Sequence, residues 1–328
     1  MIITKTPLRL PLGGGGTDLP FFYPRFGGEL VTAAIDKYIY VTVSERNFHN
    51  KFRISYSQTE NVSDINEIQN NRVRAALKLL GINKILEVTT IAELPGTYGM
   101  GSSSAFTIGL LKALHAFKRE SVSSKMLAEE AAKVEIEVLK EPIGKQDHYA
   151  TALGGITHLK IEKDGSIESS PLNISYSVMR DLERSLHMFF TGITREASEV
   201  LTDQAKTVLS NEKKMEEMLL IKQIGVDIRN ALENKDTHKF GKLMNLHWQT
   251  KRKTSNKMAN PSIDRWYEAA LKKGALGGKI MGAGGGGFFL FFCDSNPSEF
   301  IRAMEKEGLM YVPFRFDMDG SKILLDSR

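Results

Sequence analysis

The sequence predicts an α+β protein of two domains, residues 1–172 and 173–328. Segments that alternate with period two, as strands do, are mixed with segments whose apolar residues follow helical spacing. A length of 328 residues suits about two ordinary domains, and 41% hydrophobic with 25% charged residues is a globular composition. The stretch KDGSIESSPLNIS is rich in turn formers and weakly periodic, which predicts a domain boundary near residues 165–180.

The first domain is expected to combine strands with three helices. Alternating β-branched and aromatic residues predict strands over residues 2–6, 29–44, 86–91 and 154–161, the last as a strand pair. Helical spacing of apolar residues predicts helices over residues 70–80, 102–117 and 124–140.

The second domain is expected to be richer in helix. Strands are predicted over residues 186–191, 278–281 and 288–292. Helices are predicted over residues 198–209, 213–234, 239–253, 263–273 and 298–308.

Charge and cysteine content exclude several classes of protein. The net charge is +5, from 44 basic and 39 acidic residues, which suits anionic substrates but is too small and dispersed to favour nucleic acid. The one cysteine, Cys293, rules out an internal disulfide, and no CxxC or HExxH pattern supports a zinc site. The first residues lack the apolar core of a signal peptide, and the apolar run 288–293 is too short to span a bilayer. We therefore expect a cytoplasmic protein without nucleic-acid or membrane partners.

The strongest functional signal is the glycine- and serine-rich segment PGTYGMGSSS, residues 95–104. It follows a predicted strand and opens a predicted helix, and free amides at a helix N-terminus bind phosphate. An ordinary serine-capped helix is the alternative, but it does not explain three glycines ahead of three serines. The segment lacks the lysine of a Walker A loop.

Two other glycine clusters suggest ligand contacts. Residues 282–287 match GxGxxG formally, but a strand follows instead of a helix, which favours a glycine hairpin lining a pocket over a dinucleotide site. The run from Gly13 to Gly16 precedes Thr17 and Asp18. A simple hairpin turn explains it, but Asp18 is also placed to accept hydrogen bonds from a polyol, and Arg9 is placed to meet a phosphate.

Two carboxylates are candidates for chemistry. Glu135 falls on the apolar face of its predicted helix, so it needs a partner, either a metal ion or a structural lysine or arginine. Asp147 lies on a predicted loop, residues 143–148, where it can orient or deprotonate a substrate hydroxyl or simply cap the loop.

Together these segments resemble the galactokinase, homoserine kinase, mevalonate kinase and phosphomevalonate kinase (GHMP) superfamily. The galactokinase form of its first motif, P-x-R-x-x-L-x-G-x-x-T-D, matches Pro7 to Asp18 without a gap. The second, P-x-x-x-G-L-G-S-S, matches from Pro95 to Ser103 with Met100 in place of leucine, and the third, K-x-x-G-A-G-x-G-G, begins at Lys279. The three motifs are in the family's order and cover nearly the whole chain.

The resemblance implies a fold and a set of roles. It implies an N-terminal ribosomal-protein-like α/β domain, a C-terminal ferredoxin-like α+β domain and an active site in the cleft between them, with ATP and Mg²⁺ as cofactors. Asp147 would be the catalytic carboxylate, Arg9 would stabilise the transferring phosphoryl group, and Ser103 and Glu135 would hold Mg²⁺. The implied ATP-binding residues are Gly96, Gly99, Met100, Gly101, Ser102, Ser103 and Ser104. The implied substrate-binding residues are Gly14, Gly15, Gly16, Thr17, Asp18, Gly284, Gly285, Arg195 and Arg252.

Within the superfamily, the chain looks most like the D-glycero-D-manno-heptose 7-phosphate kinases. Galactokinases carry Glu-His where this chain has Gly15 and Gly16, whereas LRLPLGGGGTD, GKQD and KIMGAGGGG resemble the heptose kinases. The implied partners are a sugar or sugar phosphate and ATP, bound by a monomer or homodimer. The alternatives are a fucose-type kinase, a decarboxylase of the same superfamily and a non-catalytic sugar and ATP sensor.

Overall fold

The computed structural model describes residues 1–94, 99–194, 197–255 and 257–328, and it contains two β-sheets with helices packed on them. The strands are β1 (Ile2–Gly13), β2 (Gly28–Glu45), β3 (Phe52–Ser55), β4 (Thr59–Val62), β5 (Leu86–Ala92), β6 (Ile156–Ile161), β7 (Ile167–Pro171), β8 (Leu186–Phe190), β9 (Gly277–Ile280), β10 (Phe288–Phe292), β11 (Met310–Val312) and β12 (Lys322–Asp326). The helices are α1 (Tyr23–Phe26), α2 (Asn71–Leu79), α3 (Ser102–Phe117), α4 (Ser124–Ala132), α5 (Gln146–Leu153), α6 (Tyr176–Ser185), α7 (Ala197–Leu209), α8 (Glu212–Glu233), α9 (Thr237–Lys251), α10 (Pro261–Lys272) and α11 (Pro297–Lys306). This mixture confirms the predicted α+β class.

The larger sheet is organised around the long strand β2. Along its length β2 pairs with β1; its first half also pairs with β6 and its second half with β5. The strand order is β12-β1-β2-β5-β3-β4; β6 pairs with β2, β7 pairs with β6, and β3 and β5 run parallel to each other. Strand β12, near the end of the chain, therefore completes a sheet begun by β1.

Strand β1 is longer than the sequence predicts, and it carries Arg9. The predicted strand covers residues 2–6; Pro7 and Pro11 follow it, and proline is rare in strand interiors. In the structure the strand reaches Gly13, and its register with β2 shifts between Pro7 and Leu8 and again after Pro11. Because irregular pairing accommodates both prolines, Arg9 and the glycine cluster lie on one continuous element.

The smaller sheet has the order β11-β8-β10-β9 and an aromatic core. All five residues of β10 are buried, and the rings of Phe289 and Phe291 stack with centroids 4.7 Å apart. Phe291 also meets Phe300 of α11 edge to face. The strongly apolar sequence FFLFF is thus explained by a central strand that is covered on both faces.

Three local predictions need correction. Residues 154–161 hold one strand, β6, whose partner β7 lies in the stretch expected to be a turn-rich boundary. The predicted helix 124–140 is α-helical only to Ala132 and continues as a π-helix over Lys133–Val138. The predicted loop 143–148 ends early, because α5 begins at Gln146 and so carries Asp147 in its first turn. The division at residue 172 stays a prediction.

Close helix packing joins the two halves of the chain. Helix α3 packs on β1 and β2, and helix α8 packs on the same two strands. A side chain on Gly225 of α8 would lie 2.7 Å from the carbonyl oxygen of Glu29 and 3.1 Å from Gly14. One apolar core then runs from the first sheet to the second, for example through Ile35, Ile228 and Leu290.

Candidate active site

An ion pair between Arg9 of β1 and Asp147 of α5 lies at the centre of the site. Arg9 Nε donates to Asp147 Oδ1 at 2.7 Å, and Nη2 donates to Oδ2 at 2.8 Å. A third donor, Nη1, reaches the carbonyl oxygen of Gly99 at 2.8 Å. Arginine has five N–H donors, so two remain for a ligand. The Arg9 side chain is 5% exposed and that of Asp147 is 27% exposed, so the carboxylate is the more accessible partner.

Bare glycine backbone surrounds this pair. Gly101 has φ +74°, and a Cβ there would lie 3.1 Å from Arg9 Cγ and 3.3 Å from Asp147 Oδ2. A Cβ on Gly282 would lie 2.8 Å from Gly99 Cα, so the second and third motifs touch through their main chains. Glycine is required here because any side chain would separate these segments or disturb the ion pair.

Helix α3 begins beside the ion pair with an uncapped first turn. Gly101 is its N-cap residue in the left-handed conformation, and within the described ranges no side chain caps the helix. The Ser103 and Ser104 hydroxyls lie inside the first turn and donate to Glu135, and neither accepts a capping hydrogen bond from a first-turn amide. The serine-capped alternative is therefore not what forms, and the amides of the first turn remain available to an anion.

Glu135 gathers five side chains in the core behind this turn. Its Oε1 accepts from Ser103 at 2.6 Å, and from Thr107 and Arg72 at 2.8 Å each. Its Oε2 accepts from Ser104 at 2.9 Å and lies 2.8 Å from His148 Nε2. Burial alone would raise the pKa of Glu135, but the hydrogen bond with His148 and the charge of Arg72 hold it well below its ordinary value. Of the two partners that the sequence left open, the structure shows the arginine.

The donor chemistry of Ser103 and Glu135 still fits Mg²⁺. A hydroxyl and a carboxylate oxygen lie 2.6 Å apart, and Mg²⁺ in nucleotide sites takes one or two carboxylates together with phosphate oxygens and water. No group of three or more His, Cys, Asp or Glu able to hold a metal occurs in the described part of the chain, so phosphate and water would complete the coordination. Metal binding would replace the Ser103–Glu135 hydrogen bond.

A cavity opens on the exposed side of Asp147. Among the residues predicted for the site, it brings together Arg9, Gly15, Gly16, Asp18, Gly99 and Asp147. Asp18 Oδ2 accepts from the Gln146 amide at 3.0 Å, and Oδ1 accepts from the Gly16 amide at 3.3 Å. Burial raises the pKa of Asp18, with the charge of Asp147 acting in the same direction. A Cβ on Gly144 would collide with the Asp18 carboxylate, so that position must be glycine.

Two polar residues of the cavity, Gln146 and Gln204, were not identified from the sequence, whereas Lys251 was a sequence candidate for binding a second substrate phosphate and does line the cavity. Gln204 is fully buried, and its Nε2 donates to Thr254 at 3.1 Å. Gln204 Oε1 and Gln146 Nε2 have no partner among the described residues. Neutral side-chain amides are not part of the motifs described above. The string GKQD held a weak signal for Gln146, because this residue directly precedes Asp147, and in the structure it faces the same cavity.

Several predicted site residues have other contacts. The Thr17 hydroxyl donates to the Gly14 carbonyl oxygen at 2.8 Å, so these two shape the loop. Met100 is buried, and its carbonyl oxygen accepts from the Arg9 amide. Arg252 pairs with Asp264 at 2.6 Å. These four residues and Ser102, Ser103, Ser104, Gly284 and Gly285 do not line the cavity. Gly96 and Arg195 lie outside the described residues.

Helices that could cross a membrane are also absent from the described ranges, since none is both long and apolar enough.

Comparisons with known proteins identify a kinase family. Residues 71–155 match the N-terminal domain of GHMP kinases, and residues 228–308 match their C-terminal domain. The chain is 30% identical to the D-glycero-alpha-D-manno-heptose 7-phosphate kinase of Campylobacter jejuni, over 98% of both chains. It is 24% identical to the galactokinase of Pyrococcus furiosus, over 92% of this chain and 91% of that one.

Solved structures are similar along the whole chain. A D-glycero-D-manno-heptose 1-phosphate kinase from Bacteroides thetaiotaomicron superposes with a TM-score of 0.83 at 23% identity, covering 100% of both chains. A putative sugar kinase from Campylobacter jejuni superposes with a TM-score of 0.77 at 27% identity, covering 98% of this chain and 97% of that one. The first of these likenesses concerns the fold alone.

Proposed function

The chain belongs to the GHMP kinase family and is an ATP-dependent sugar kinase, and from this premise we propose that its acceptor is the anomeric hydroxyl of D-glycero-D-manno-heptose 7-phosphate. The product is then the 1,7-bisphosphate, which feeds nucleotide-activated heptose synthesis. The substrate proposal is supported by the 30% identity to a heptose 7-phosphate kinase along almost the entire chain. The residue roles rest on one observation, the Arg9–Asp147 pair held against Gly101 at the uncapped start of α3.

Asp147 serves the acceptor side of the reaction. Its carboxylate accepts the proton of the sugar hydroxyl while the hydroxyl oxygen forms a bond to the γ-phosphorus of ATP. The bond between that phosphorus and the bridging oxygen breaks, and ADP leaves with the electron pair. Arg9 holds both carboxylate oxygens in place, so the base is oriented before the sugar binds.

The nucleotide side is served by main-chain amides and Arg9. The first-turn amides of α3 donate hydrogen bonds to phosphate oxygens. The two remaining N–H groups of Arg9 bind the phosphoryl group during its transfer and stabilise its negative charge. Mg²⁺, held by Ser103 and Glu135, would neutralise phosphate charge when bound. Most of the rate enhancement then comes from positioning and electrostatics.

The sugar is recognised by other residues that line the cavity. Asp18 is fixed by two main-chain amides and accepts hydrogen bonds from hydroxyls of the substrate. The bare backbone of Gly15 and Gly16 leaves room for the sugar to approach, and Gln146 and Gln204 offer amide groups beside it.

A substrate panel tests the proposal. ADP release is measured with heptose 7-phosphate, fucose, galactose and mevalonate, and heptose 7-phosphate is expected to have the highest kcat/KM. Asp147→Asn should lower kcat by about 10²–10⁴-fold, the usual contribution of general base catalysis, while ATP binding persists. The control is Asp181→Asn, an exposed aspartate paired with Arg184, which should keep full activity. Near-normal turnover of the Asp147 variant contradicts the assigned role.

Fucose is the second candidate acceptor. The L-fucokinase/L-fucose-1-P guanylyltransferase of Bacteroides fragilis is 25% identical over 91% of this chain, which corresponds to 35% of that protein. A higher kcat/KM for fucose in the same panel would select this alternative.

A further inference from the structure

Lys251 ends helix α9 with its side chain at the wall of the same cavity. The residue is 6% exposed and lines the cavity together with Arg9, Asp18 and Asp147. Its Nζ donates to the carbonyl oxygen of Gly282 at 3.0 Å. An ammonium group has three donors, so two of them are free of this bond.

Two more basic side chains are buried close to Lys251. Lys279 of β9 is 1% exposed, and His247, one turn before Lys251 in α9, is fully buried. Lys279 Nζ and both ring nitrogens of His247 have no hydrogen-bond partner within the described part of the chain. Burial lowers the pKa of both groups, and the charge of Lys251 acts in the same direction.

Of these three buried basic groups, Lys251 alone has a hydrogen-bonded acceptor among the described residues, the Gly282 carbonyl oxygen. A buried polar group without a partner is costly, and a buried cation more so. Burial lowers the pKa of Lys251 to about 8, while the carboxylates of Asp18 and Asp147 oppose that shift and the charge of Arg9 adds to it. An anion in the cavity would supply the missing acceptor and stabilise the charged form of Lys251.

We propose that Lys251 binds a phosphate oxygen in the cavity, with Lys279 and His247 as positioning residues behind it. This inference rests on the proposed sugar kinase activity. The phosphate has two possible sources, the group transferred from ATP or a phosphate already on the sugar. In both cases Lys251 and Arg9 line the same cavity, so the phosphate would enter a cavity with two cationic side chains in its wall.

Binding of inorganic phosphate tests the inference without turnover. Isothermal titration calorimetry at pH 7 compares the wild type with Lys251→Met, which keeps the length of the side chain and removes its charge. We expect phosphate to bind at least tenfold more weakly to this variant, and Lys251→Arg to recover part of the affinity. The matched control is Lys253→Met, because Lys253 pairs with Glu217 on the surface and should have no effect. Equal phosphate affinity in the wild type and Lys251→Met, or no phosphate binding by the wild type, overturns the inference.

Turnover then identifies the source of the phosphate. If Lys251 binds the transferred group, Lys251→Met lowers kcat about tenfold or more with both a sugar phosphate and an unphosphorylated sugar. If it binds the phosphate of the substrate, KM rises about tenfold for the sugar phosphate alone. Unchanged kcat and KM with both acceptors again contradict the inference. A wild type that phosphorylates no sugar contradicts the proposed function instead, and the phosphate titration still decides the role of Lys251.

Discussion

Replacing Glu135 with glutamine should be among the most destabilising isosteric changes in the chain. The carboxylate accepts from three hydroxyls, Arg72 and His148, and is fully buried. The glutamine side chain has an NH₂ donor in place of one carboxylate oxygen. Each of the two carboxylate oxygens already faces at least two hydrogen-bond donors, so the new donor would meet other donors. Its best orientation turns the nitrogen toward His148, whose ring can accept in its other tautomer, and keeps an oxygen facing Arg72.

The magnitude follows from the loss of a buried charge pair. Removing one partner of such a pair costs about 3–5 kcal/mol. Because the glutamine keeps several hydrogen bonds, we expect the lower end, about 3 kcal/mol in the free energy of unfolding. At about 2–4 °C per kcal/mol for a large domain, this lowers the melting temperature by about 6–12 °C. The control Glu137→Gln lies on the exposed side of the same π-helical segment and should change stability by less than about 0.5 kcal/mol.

The effect should also depend on pH with a definite sign. Folding holds the pKa of Glu135 below its ordinary value of 4.5, so its contribution is complete above that pH and is lost as the pH falls below it. Urea unfolding followed by circular dichroism should therefore show the stability difference between the wild type and Glu135→Gln shrinking steadily as the pH falls below about 4.5. A difference below about 1 kcal/mol at pH 7, or one that stays constant down to pH 3, would refute the argument.

Three further predictions concern the cavity. Gly144→Ala should raise the KM for sugar about tenfold or more and leave the KM for ATP nearly unchanged, because the new Cβ displaces Asp18. An equal rise of both KM values in steady-state kinetics would contradict this prediction. Gln204→Leu should raise the KM for sugar several-fold. It should not lower the melting temperature, because it removes a buried carbonyl oxygen that has no partner among the described residues. An unchanged KM would exclude Gln204 from sugar recognition. Phosphate affinity should fall as the pH rises through about 8, where Lys251 loses its proton. Lys251→Arg should move that fall to higher pH. A wild-type phosphate affinity that stays constant up to pH 9.5 would contradict a role for the charge of Lys251.

Much of the secondary structure was predictable because periodicity reports burial directly. The helix over residues 102–117 matches α3 at both ends, and the strand over residues 288–292 matches β10. Failures occurred where local preference and tertiary context disagree. The prolines of β1 argue against a strand, yet bulged pairing with β2 accommodates them. Short strands such as β3 and β11 contain too few residues for a periodic signal.

Residues of the candidate site that belong to a sequence motif were predictable. Residues that reach the site only through tertiary packing were not. Arg9, Asp18 and Asp147 belong to recognisable strings and meet at one cavity. Arg72 is the counter-ion of Glu135 across 63 residues of sequence, and nothing local in its helix distinguishes it from a surface arginine. Lys251 belongs to the basic string Lys251 to Lys253, whose composition alone favours a solvated helix face, and its burial depends on the contact between α9 and the glycine loop.

The pairing of β12 with β1 has a consequence for biosynthesis. Thr4 and Ile323 face each other in the finished sheet, but the ribosome makes them more than 300 residues apart. At about 5–20 residues per second, the hydrogen-bonding edge of β1 waits roughly 15–60 s for its neighbour. Throughout that interval the nascent chain exposes an open strand edge, the kind of surface that recruits other unfinished chains. Expression yield should therefore respond to translation speed and chaperone supply more strongly than the stability of the folded enzyme alone would suggest.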